Sequence, residues 1–380
     1  MRVLVVDDLE MNRDLLLRRV RRMGHEAGAA VDGRDALQQL QQQPWDLVLL
    51  DITMPELDGY ATLQRIRADP RLAQLPVVMV SAIDETDSVV RCLELGADDY
   101  LTKPFNPLVL QARIEASLTK KRLLDQQAQL LRALSREMEI GQRIQQGFLP
   151  ASLPELRGWS LAALCRPARR VGGDFYDAFV LPGGRLVLAL ADVCDKGVGA
   201  ALYMALFRTL LRVTATQSPA GEAPAATLLR SVSATSDYIA DVHGHENMFA
   251  TVFLALLDTA GGTLHYVNAG HEPPLLRDAG SGRNRELPVT GAALGLFSGQ
   301  PWQVHDAPMQ PGDTLLAYTD GMTEAIRDGA ALGSAALGCA LQAHRGPAGA
   351  LIERLKVQLD APPDPDAVDD DITLLALQRD

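Results

Sequence analysis

Short apolar runs alternate with amphipathic, helix-like stretches over the first third of the chain. The run VLVV near the start is followed by a segment with apolar residues every three or four positions, which ends at Gly24. This order repeats, and it predicts strands at residues 2–8, 26–30, 47–50, 77–80 and 99–102. Strands separated by helices favour a parallel sheet, so we expect a doubly wound α/β domain.

Residues 107–147 form one polar-rich stretch that has no internal proline and no loop signal. Its apolar residues recur near three- and four-residue steps, with some polar and glycine interruptions. They are Leu123, Leu130, Leu134, Ile144 and Phe148. The pattern predicts a long signalling helix, and it favours a coiled coil that joins two copies of the chain into a dimer. The alternative is a single helix that packs on one domain.

The rest of the chain shows many strands and a few long helices rather than regular alternation. Apolar runs predict strands at residues 160–165, 250–257, 263–267 and 314–318, and in the segments AFVL, LVLALA and ITLLAL. Helices are predicted at 204–217 and 226–241, and a hairpin tip at 278–285. This order is typical of an α+β domain. We therefore predict a multidomain chain with an N-terminal α/β domain (1–119), a helical coiled-coil linker (120–149) and an α+β domain (150–380).

Composition restricts the partners and the compartment of the protein. The 380 residues carry a formal net charge of −12, which disfavours a nucleic-acid partner because phosphate backbones bind basic surfaces. The four cysteines form no CxxC pair, which is typical of reduced thiols. They are Cys92, Cys165, Cys194 and Cys339. No run approaches 18 uninterrupted apolar residues, so we expect a cytoplasmic protein without a secretion signal or a membrane span.

Polar residues stand at the carboxyl ends of the strands predicted in the first domain. Asp7 and Asp8 end the first strand, Asp51 follows the third, Ser81 follows the fourth and Lys103 follows the last. Ligands bind at this edge of a parallel sheet. The three carboxylates can hold one Mg²⁺, and Asp51 can then act as a nucleophile toward a phosphoryl group. Lys103 supplies a compensating cation, and Ser81 can hydrogen-bond the phosphoryl oxygens.

These residues, with the MetPro pair after Asp51 and the segment YLTKPF, resemble the receiver domain of two-component response regulators over about residues 1–120. The resemblance implies that Asp51 accepts a phosphoryl group from a sensor histidine kinase or a phosphotransfer protein. It implies a Mg²⁺ site and a switch pair, with Asp8, Asp51 and the Thr53 carbonyl on the metal, Asp7 in support, and Ser81 with Tyr100 as the switch. The Lys103–Pro104 peptide bond is expected to be cis, as in the family. The alternative is a generic α/β domain with acidic loops.

Carboxylates also mark the ends of strands in the C-terminal region. Asp174 follows two glycines and precedes AFVL, Asp192 ends LVLALA, Asp320 follows LLAYT, and the acids 369–371 precede ITLLAL. Carboxylates beside glycine-rich turns suit Mg²⁺ or Mn²⁺, because these cations prefer oxygen ligands. Four such points suit a two-metal centre that activates water and binds a phosphate. A single Asp-Gly pair, taken alone, is more often a turn.

Five motifs in this order resemble the bacterial branch of the PPM-type metal-dependent serine/threonine phosphatases over roughly residues 136–378. They are GGDFYD, ADVCDKGVGAAL, NAGHEPPLL, YTDGMTEA and DDDIT. The resemblance implies a β-sandwich flanked by helices, with two or more Mn²⁺ or Mg²⁺ ions. The implied metal-site residues are Asp174 near the metal pair, Asp192 as the bridge, the Val193 carbonyl, Asp320, and Asp370 with Asp371 as the competing choice.

One departure from that family concerns the general acid. Better-known eukaryotic members carry a histidine proton donor two residues after the bridging aspartate, whereas this chain has Cys194 there, so no general acid is assigned. His271 in NAGHEPP is expected to be a structural residue in a turn. Residues 136–150 resemble the helix that precedes the phosphatase domain in the family, where it acts as a regulatory switch.

The two resemblances together imply a response regulator whose output is a protein phosphatase. By the resemblance, its substrate is a phosphorylated anti-sigma-factor antagonist, and we expect phosphorylation of Asp51 to activate it through the long helix. A second hypothesis is a non-catalytic module that sequesters a signalling partner, which metal-dependent turnover would exclude. A third is a DNA-binding regulator, which is disfavoured because the chain is acidic and shows no short basic helix-turn-helix tail.

Overall fold

The structure is a computed structural model, and it describes residues 1–82, 86–219, 221–327, 330–331, 333–359 and 370–380. The chain divides into two compact units, Met1–Ser135 and Arg136–Asp380. The predicted multidomain organisation is therefore present, while the linker boundaries at 119 and 149 stay a prediction.

The first unit contains one parallel sheet of five strands in the order β2-β1-β3-β4-β5. The strands are β1 (Arg2–Val6), β2 (Glu26–Ala30), β3 (Leu47–Asp51), β4 (Val77–Ser81) and β5 (Asp99–Thr102). The helices are α1 (Glu10–Arg22), α2 (Gly33–Gln42), α3 (Gly59–Ala68), α4 (Thr86–Glu94) and α5 (Pro107–Phe148). Strands β1, β3 and β4 are nearly continuous apolar runs because helices cover both faces of the sheet. The predicted doubly wound α/β fold is confirmed.

Helix α5 is 42 residues long, as the uninterrupted pattern predicted. Its first turns bury Leu110, Ile114 and Leu118 in the core of the first unit. Two ion pairs fix these turns to the loop before β5 and its first residue: Arg113 to Asp99 at 2.8 Å and Lys120 to Asp98 at 2.9 Å. Beyond them, large apolar side chains are exposed, including Leu123, Leu130, Leu131, Leu134 and Ile144. An exposed apolar set on a long helix is what coiled-coil pairing requires, and the pairing itself stays a prediction.

The second unit contains two five-stranded antiparallel sheets. One sheet has the order β13-β10-β9-β8-β7, with β7 (Phe175–Val180), β8 (Leu186–Val193), β9 (Ala250–Asp258), β10 (Thr263–Ala269) and β13 (His305–Pro308). The other has the order β12-β11-β14-β17-β6, with β6 (Trp159–Arg166), β11 (Leu275–Arg277), β12 (Asn284–Glu286), β14 (Thr314–Tyr318) and β17 (Ile372–Arg379). A small β15 (Ile326–Arg327) pairs with β16 (Ala330–Ala331).

Helices cover the outer faces of both sheets. They are α6 (Val198–Thr216), α7 (Pro224–His243), α8 (Asp320–Glu324), α9 (Gly333–Gln342) and α10 (Ala348–Leu359). One apolar cluster lies between the two sheets, a second joins the β7–β10 sheet to α6 and α7, and a third joins the other sheet to α9 and α10. The layers are therefore helix, sheet, sheet and helix, which confirms the predicted β-sandwich flanked by helices.

Helix α6 begins earlier than the sequence predicted, at Val198 instead of residue 204. The glycines of KGVGAAL suggested a longer turn. In the structure, the turn is complete at Gly197, whose φ of +88° is a conformation that glycine adopts readily, and Gly199 lies within the helix. Among the described residues, α6 is the one helix long and apolar enough to cross a membrane by length and composition alone. Its Met204, Phe207 and Leu211 side chains are buried in the core of the second unit.

Candidate active sites

The first unit brings three carboxylates and one lysine together at the carboxyl edge of its sheet. Oxygens of Asp7, Asp8 and Asp51 all lie within 4.8 Å of one another. Lys103 Nζ lies 2.7 Å from Asp7 Oδ2 and 3.1 Å from Asp51 Oδ1. Asp7 and Asp51 are buried, whereas Asp8 is more exposed. We call this group the receiver centre.

Local backbone contacts hold the carboxylates of the receiver centre in place. The Leu9 N–H donates to Asp7 Oδ1 at 3.0 Å, and the Ile52 N–H donates to Asp51 Oδ1 at 3.0 Å. A side chain at Gly59 would place its Cβ 2.2 Å from the Asp51 carbonyl oxygen, so α3 can start there only with glycine. These backbone contacts orient the Asp7 and Asp51 carboxylates of the centre.

The lysine side of the receiver centre depends on the turn that follows β5. The Lys103–Pro104 bond is cis, as expected, and the Lys103 N–H donates to the Ser81 carbonyl at 2.6 Å. Ser81 is buried at the end of β4, and Tyr100 lies on β5 with its side chain in the apolar core. Thr53 lies in the loop two residues after Asp51. The structure thus places every predicted receiver residue on the same edge of the sheet or in the core beneath it.

Electrostatics of the receiver centre favour a divalent cation. Burial raises the pKa of Asp51, and the adjacent Lys103 ammonium opposes that rise. Three carboxylates against one ammonium leave a net negative site with oxygen donors at close range. This donor set fits Mg²⁺, which prefers one or two carboxylates and completes its shell with water and phosphate oxygens.

The second unit places its predicted carboxylates where the ends of the two sheets meet. Asp174 immediately precedes β7, Asp192 lies near the end of β8, Asp320 follows β14 as the first residue of α8, and Asp370 precedes β17. Strands of both sheets therefore contribute. We call this group the phosphatase centre. Asp369, which the DDDIT motif also contains, lies outside the described residues.

The carboxylates of the phosphatase centre interact strongly with one another. Burial and the neighbouring Asp192 raise the pKa of Asp174 well above its usual range. Burial, followed by Asp320 and Asp370, raises the pKa of Asp192 to about 7. Burial and then Asp370 also raise the pKa of Asp320. Asp174 is buried, whereas Asp192, Asp320 and Asp370 are partly exposed. Bound divalent cations would neutralise this group of like charges, so the donor set fits Mn²⁺ or Mg²⁺.

Two contacts at the phosphatase centre involve Lys196 and Thr319, which the sequence did not predict as site residues. Lys196 Nζ lies 2.9 Å from Asp370 Oδ2. Thr319 Oγ1 donates to Asp174 Oδ2 at 2.7 Å and accepts the Thr373 N–H at 2.9 Å. Thr319 thus ties the Asp174 carboxylate to the strand that follows Asp370. Only its place directly before Asp320 in the sequence could have pointed to it.

The structure separates Asp371 from its neighbour Asp370. Asp371 Oδ1 accepts the Ala168 N–H at 2.8 Å, and Asp371 Oδ2 accepts the Gly173 N–H at 2.6 Å. Both oxygens of this buried carboxylate therefore bond to the loop before Asp174, whereas Asp370 is less buried and faces Lys196. Asp371 shapes the loop, and Asp370 is the better placed of the two to bind a metal.

The glycines of GGDFYD are required by close approach. A Cβ at Gly172 would lie 2.2 Å from Asp371 Oδ2, and a Cβ at Gly173 would lie 2.7 Å from the Val193 carbonyl oxygen. The loop before Asp174 therefore runs between the Asp371 carboxylate and the Val193 carbonyl, which the family resemblance implies as a metal ligand. A side chain at either glycine would displace one of them.

A buried ion cluster in the same motif was missed by the sequence reasoning. Asp177 is buried on β7, and its carboxylate lies 3.1 Å from Arg208 Nη2 and 2.7 Å from Arg212 Nη1. Both arginines belong to α6, and their spacing of four residues places them on one face of that helix. The cluster fixes α6 to β7. The second aspartate of GGDFYD together with the i, i+4 arginine pair was the available signal.

His271 is buried and stays neutral at physiological pH. Its Nδ1 lies 2.8 Å from Thr251 Oγ1, and its backbone N–H donates to Asn268 Oδ1 at 2.8 Å. Burial lowers the pKa of His271 to about 4. These contacts agree with a structural role for His271.

Cys194 lies two residues after Asp192. Burial raises the pKa of its thiol, and its sulfur accepts the Phe249 N–H at 3.2 Å.

Comparisons with known proteins find two families. The family described as stage II sporulation protein E (SpoIIE) matches residues 182–380. The family described as response regulator receiver domain matches residues 3–115. The SpoIIE match lies in the second unit and includes Asp192, Asp320 and Asp370, whereas Asp174 precedes it. The receiver match lies in the first unit and includes the receiver centre.

Three relatives illustrate these matches. Protein IcfG of Synechocystis sp. is 41% identical over an alignment of 208 residues. The match covers 50% of this chain and 33% of IcfG. The RsbU and RsbW domains of Rv1364c from Mycobacterium tuberculosis are 34% identical, with a TM-score of 0.50 over 60% of this chain and 63% of that one. The SiaA-PP2C domain of Pseudomonas aeruginosa shares the fold at 22% identity, with a TM-score of 0.54 over 66% of this chain and 99% of that domain.

The chain spans about a third of IcfG and under two thirds of the Rv1364c structure. The family assignment therefore applies to the matched domains and not to the full length of these relatives. A receiver domain is fused to a PP2C-type phosphatase domain that resembles RsbU.

Proposed function

Because the chain belongs to the SpoIIE family and carries a response-regulator receiver domain, we propose that it is a metal-dependent protein serine/threonine phosphatase controlled by phosphorylation of Asp51. The observation that carries this proposal is the phosphatase centre. In that centre, carboxylates from the ends of both sheets raise one another's pKa. A further aspartate, Asp371, accepts a hydrogen bond from the loop before Asp174 and so shapes that loop.

In the receiver centre, Asp51 attacks the phosphorus of a phosphohistidine on a sensor histidine kinase or a phosphotransfer protein. The P–N bond breaks, an Asp51 O–P bond forms, and the imidazole leaves and takes up a proton. Lys103 lies within hydrogen-bond distance of Asp51 and would bind an oxygen of the transferred group. Asp8, Asp51 and the Thr53 carbonyl would hold Mg²⁺, with Asp7 in support, and the ion would offset the phosphoryl charge.

In the phosphatase centre, water attacks the phosphorus of a phosphoserine or phosphothreonine. The new O–P bond forms as the ester bond breaks, and the released side-chain oxygen takes a proton from solvent, since no residue is assigned as general acid. Asp192, the Val193 carbonyl, Asp320 and Asp370 would hold two or more Mn²⁺ or Mg²⁺ ions beside Asp174. Such ions would activate the water and offset the phosphate charge. Thr319 and Asp371 orient these groups through hydrogen bonds.

The likeness to the RsbU domain supports our proposals for the substrate and the wider circuit. The proposed substrate is a phosphorylated anti-sigma-factor antagonist, and the proposed site of action is the cytoplasm. Phosphorylated Asp51 would activate the phosphatase through α5, whose exposed apolar residues would pair with a second copy of the chain. The alternative is a non-catalytic module that sequesters a signalling partner, and turnover separates the two.

The test is hydrolysis of p-nitrophenyl phosphate by the full chain, with EDTA and with Mn²⁺. We expect turnover that requires Mn²⁺ and that falls at least 100-fold in Asp320→Asn, because a metal ligand is lost. Asp306→Asn, an exposed carboxylate on β13, is the matched control and should behave like the unaltered chain. Absence of turnover by the folded protein, with a phosphoserine protein also tried, would favour the sequestering module.

A further inference from the structure

The last turns of α5 contact the loop that leads into the phosphatase centre, within the second unit. The Gln145 side-chain amide bonds to both polar groups of Gly172. Its Nε2 donates to the Gly172 carbonyl at 2.5 Å, and its Oε1 accepts the Gly172 N–H at 3.1 Å. A second contact, Arg170 to Glu139 at 3.3 Å, joins two exposed side chains and contributes little.

Gly172 is in turn packed against the Asp371 carboxylate. The position that a Gly172 Cβ would occupy lies 2.2 Å from Asp371 Oδ2, and the next N–H, that of Gly173, donates to the same oxygen at 2.6 Å. Two residues after Gly172 comes Asp174. The loop therefore has Gln145 on one side and Asp371 on the other, and both bond to it through its backbone.

A small cavity lies beside this contact, between α5 and the phosphatase centre. Its lining includes Gln142, Gln145, Leu149, Cys165, Asp174 and Met204. Because this space is not filled by side chains, apolar packing does not fix the loop against α5 there. The two hydrogen bonds of Gln145 are the specific restraint, and the cavity leaves room for the loop to shift when they are lost.

We propose that Gln145 is a positioning residue for the metal centre. It holds the Gly172 peptide so that Asp371 can order the Gly173–Asp174 backbone beneath the Val193 carbonyl. The Gln145 amide offers both the donor and the acceptor that the Gly172 backbone needs, whereas an ionised glutamate lacks the donor and methionine has only a weakly accepting sulfur. This inference rests on the proposed function of the phosphatase centre.

The test compares Gln145→Met with Gln129→Met, an exposed glutamine on α5 that does not line this cavity, in the full chain. All proteins carry Asp8→Asn and Asp51→Asn, which remove two of the three receiver carboxylates. Mn²⁺ binding is measured from the electron paramagnetic resonance signal of free Mn²⁺, and p-nitrophenyl phosphate turnover is measured across the same Mn²⁺ range. Gln145→Ala is included as a second variant, and circular dichroism checks that each protein is folded.

We expect Gln145→Met and Gln145→Ala to weaken Mn²⁺ binding about 10-fold, as the loss of two hydrogen bonds would. Turnover at saturating Mn²⁺ should stay within about twofold, because the positioned groups are restored once metal binds. Gln129→Met should change neither quantity.

Unchanged Mn²⁺ affinity in both Gln145 variants would overturn the inference, as would a lower maximal turnover at unchanged affinity. Absence of Mn²⁺ binding by the parent protein would overturn it as well. With normal Mn²⁺ binding but no turnover in any of these proteins, the binding curves alone would decide the role of Gln145, because the variants cannot be phosphorylated at position 51. The proposed function is judged separately, on turnover by the unaltered chain.

Discussion

The two acidic centres of this chain differ in how the repulsion between their carboxylates is offset. In the receiver centre, one lysine contacts two of three carboxylates, so much of the repulsion is offset by the protein itself. In the phosphatase centre, Asp174, Asp192 and Asp320 raise one another's pKa or share neighbours that do, and Lys196 contacts Asp370. The phosphatase centre therefore depends on bound cations for its charge balance more than the receiver centre does.

The two centres also differ in the chain separation that assembles them. The receiver residues come from successive strands of one parallel sheet, whose carboxyl ends meet by construction. The phosphatase residues come from the ends of two stacked sheets, and the contact of Asp371 with Gly173 joins residues 198 positions apart. The second kind of site requires the complete sandwich before any of its residues meet.

The largest expected effect comes from Asp192→Asn. It should lower Mn²⁺-dependent turnover about 1,000-fold, since a bridging ligand is lost. In EDTA the same substitution should stabilise the second unit, on the order of 2 kcal/mol at pH 7. The reason is that the Asp192 carboxylate, whose pKa is raised to about 7, is destabilised by burial and by its neighbours, and asparagine carries no charge there. Turnover and urea denaturation of the same samples measure both effects. A variant that is inactive and also less stable in EDTA would contradict the repulsion argument.

The next comparison separates Asp371 from Asp370. Asp371→Asn should destabilise the second unit by about 2 kcal/mol, because charge-assisted bonds to the Ala168 and Gly173 N–H groups are weakened in a buried site. Asp370→Asn should leave stability in EDTA unchanged or higher and should raise the Mn²⁺ concentration needed for turnover. Denaturation in EDTA and Mn²⁺ titration distinguish them, and the reverse pattern would exchange the two roles.

Metal should stabilise the two units unequally. Scanning calorimetry of the full chain, with EDTA and with Mn²⁺, should show a rise in the unfolding temperature of the second unit by several degrees. The shift of the first unit should be smaller because Lys103 already offsets its charge. Unfolding of Asp51→Asn identifies the transition of the first unit. Equal shifts of both transitions would remove the distinction between the centres.

The smallest effect concerns pH and His271. The buried imidazole has a pKa lowered to about 4, whereas in the unfolded chain it takes up a proton below pH 6.5. Its contribution to stability is therefore complete above pH 6.5 and is lost as the pH falls toward 4, which amounts to about 2 kcal/mol between pH 7 and pH 5. Urea denaturation at the two pH values should show this loss in the unaltered chain and less of it in His271→Gln. An equal loss in both proteins would place the titration elsewhere.

The sequence predicted the elements and the strand-end acids well because each depends on local pattern. Alternating strands and helices predicted the parallel sheet, and motif order predicted the sandwich. Local pattern could not distinguish Asp370 from Asp371, since they are adjacent and their roles depend on backbone N–H groups some 200 positions earlier. The Asp177 cluster and the Gln145 contact were missed for the same reason. The early start of α6 was missed because glycines suggest turns even where they begin a helix.

Control of the phosphatase by the receiver is tested most directly by Mn²⁺-dependent turnover with and without beryllofluoride, which mimics a phosphoryl group on Asp51. We expect beryllofluoride to raise turnover of the full chain and to have no effect on Asp51→Asn, while the exposed-site control Asp14→Asn responds like the unaltered chain. Turnover that is indifferent to beryllofluoride in the unaltered chain would contradict control of the phosphatase by the receiver.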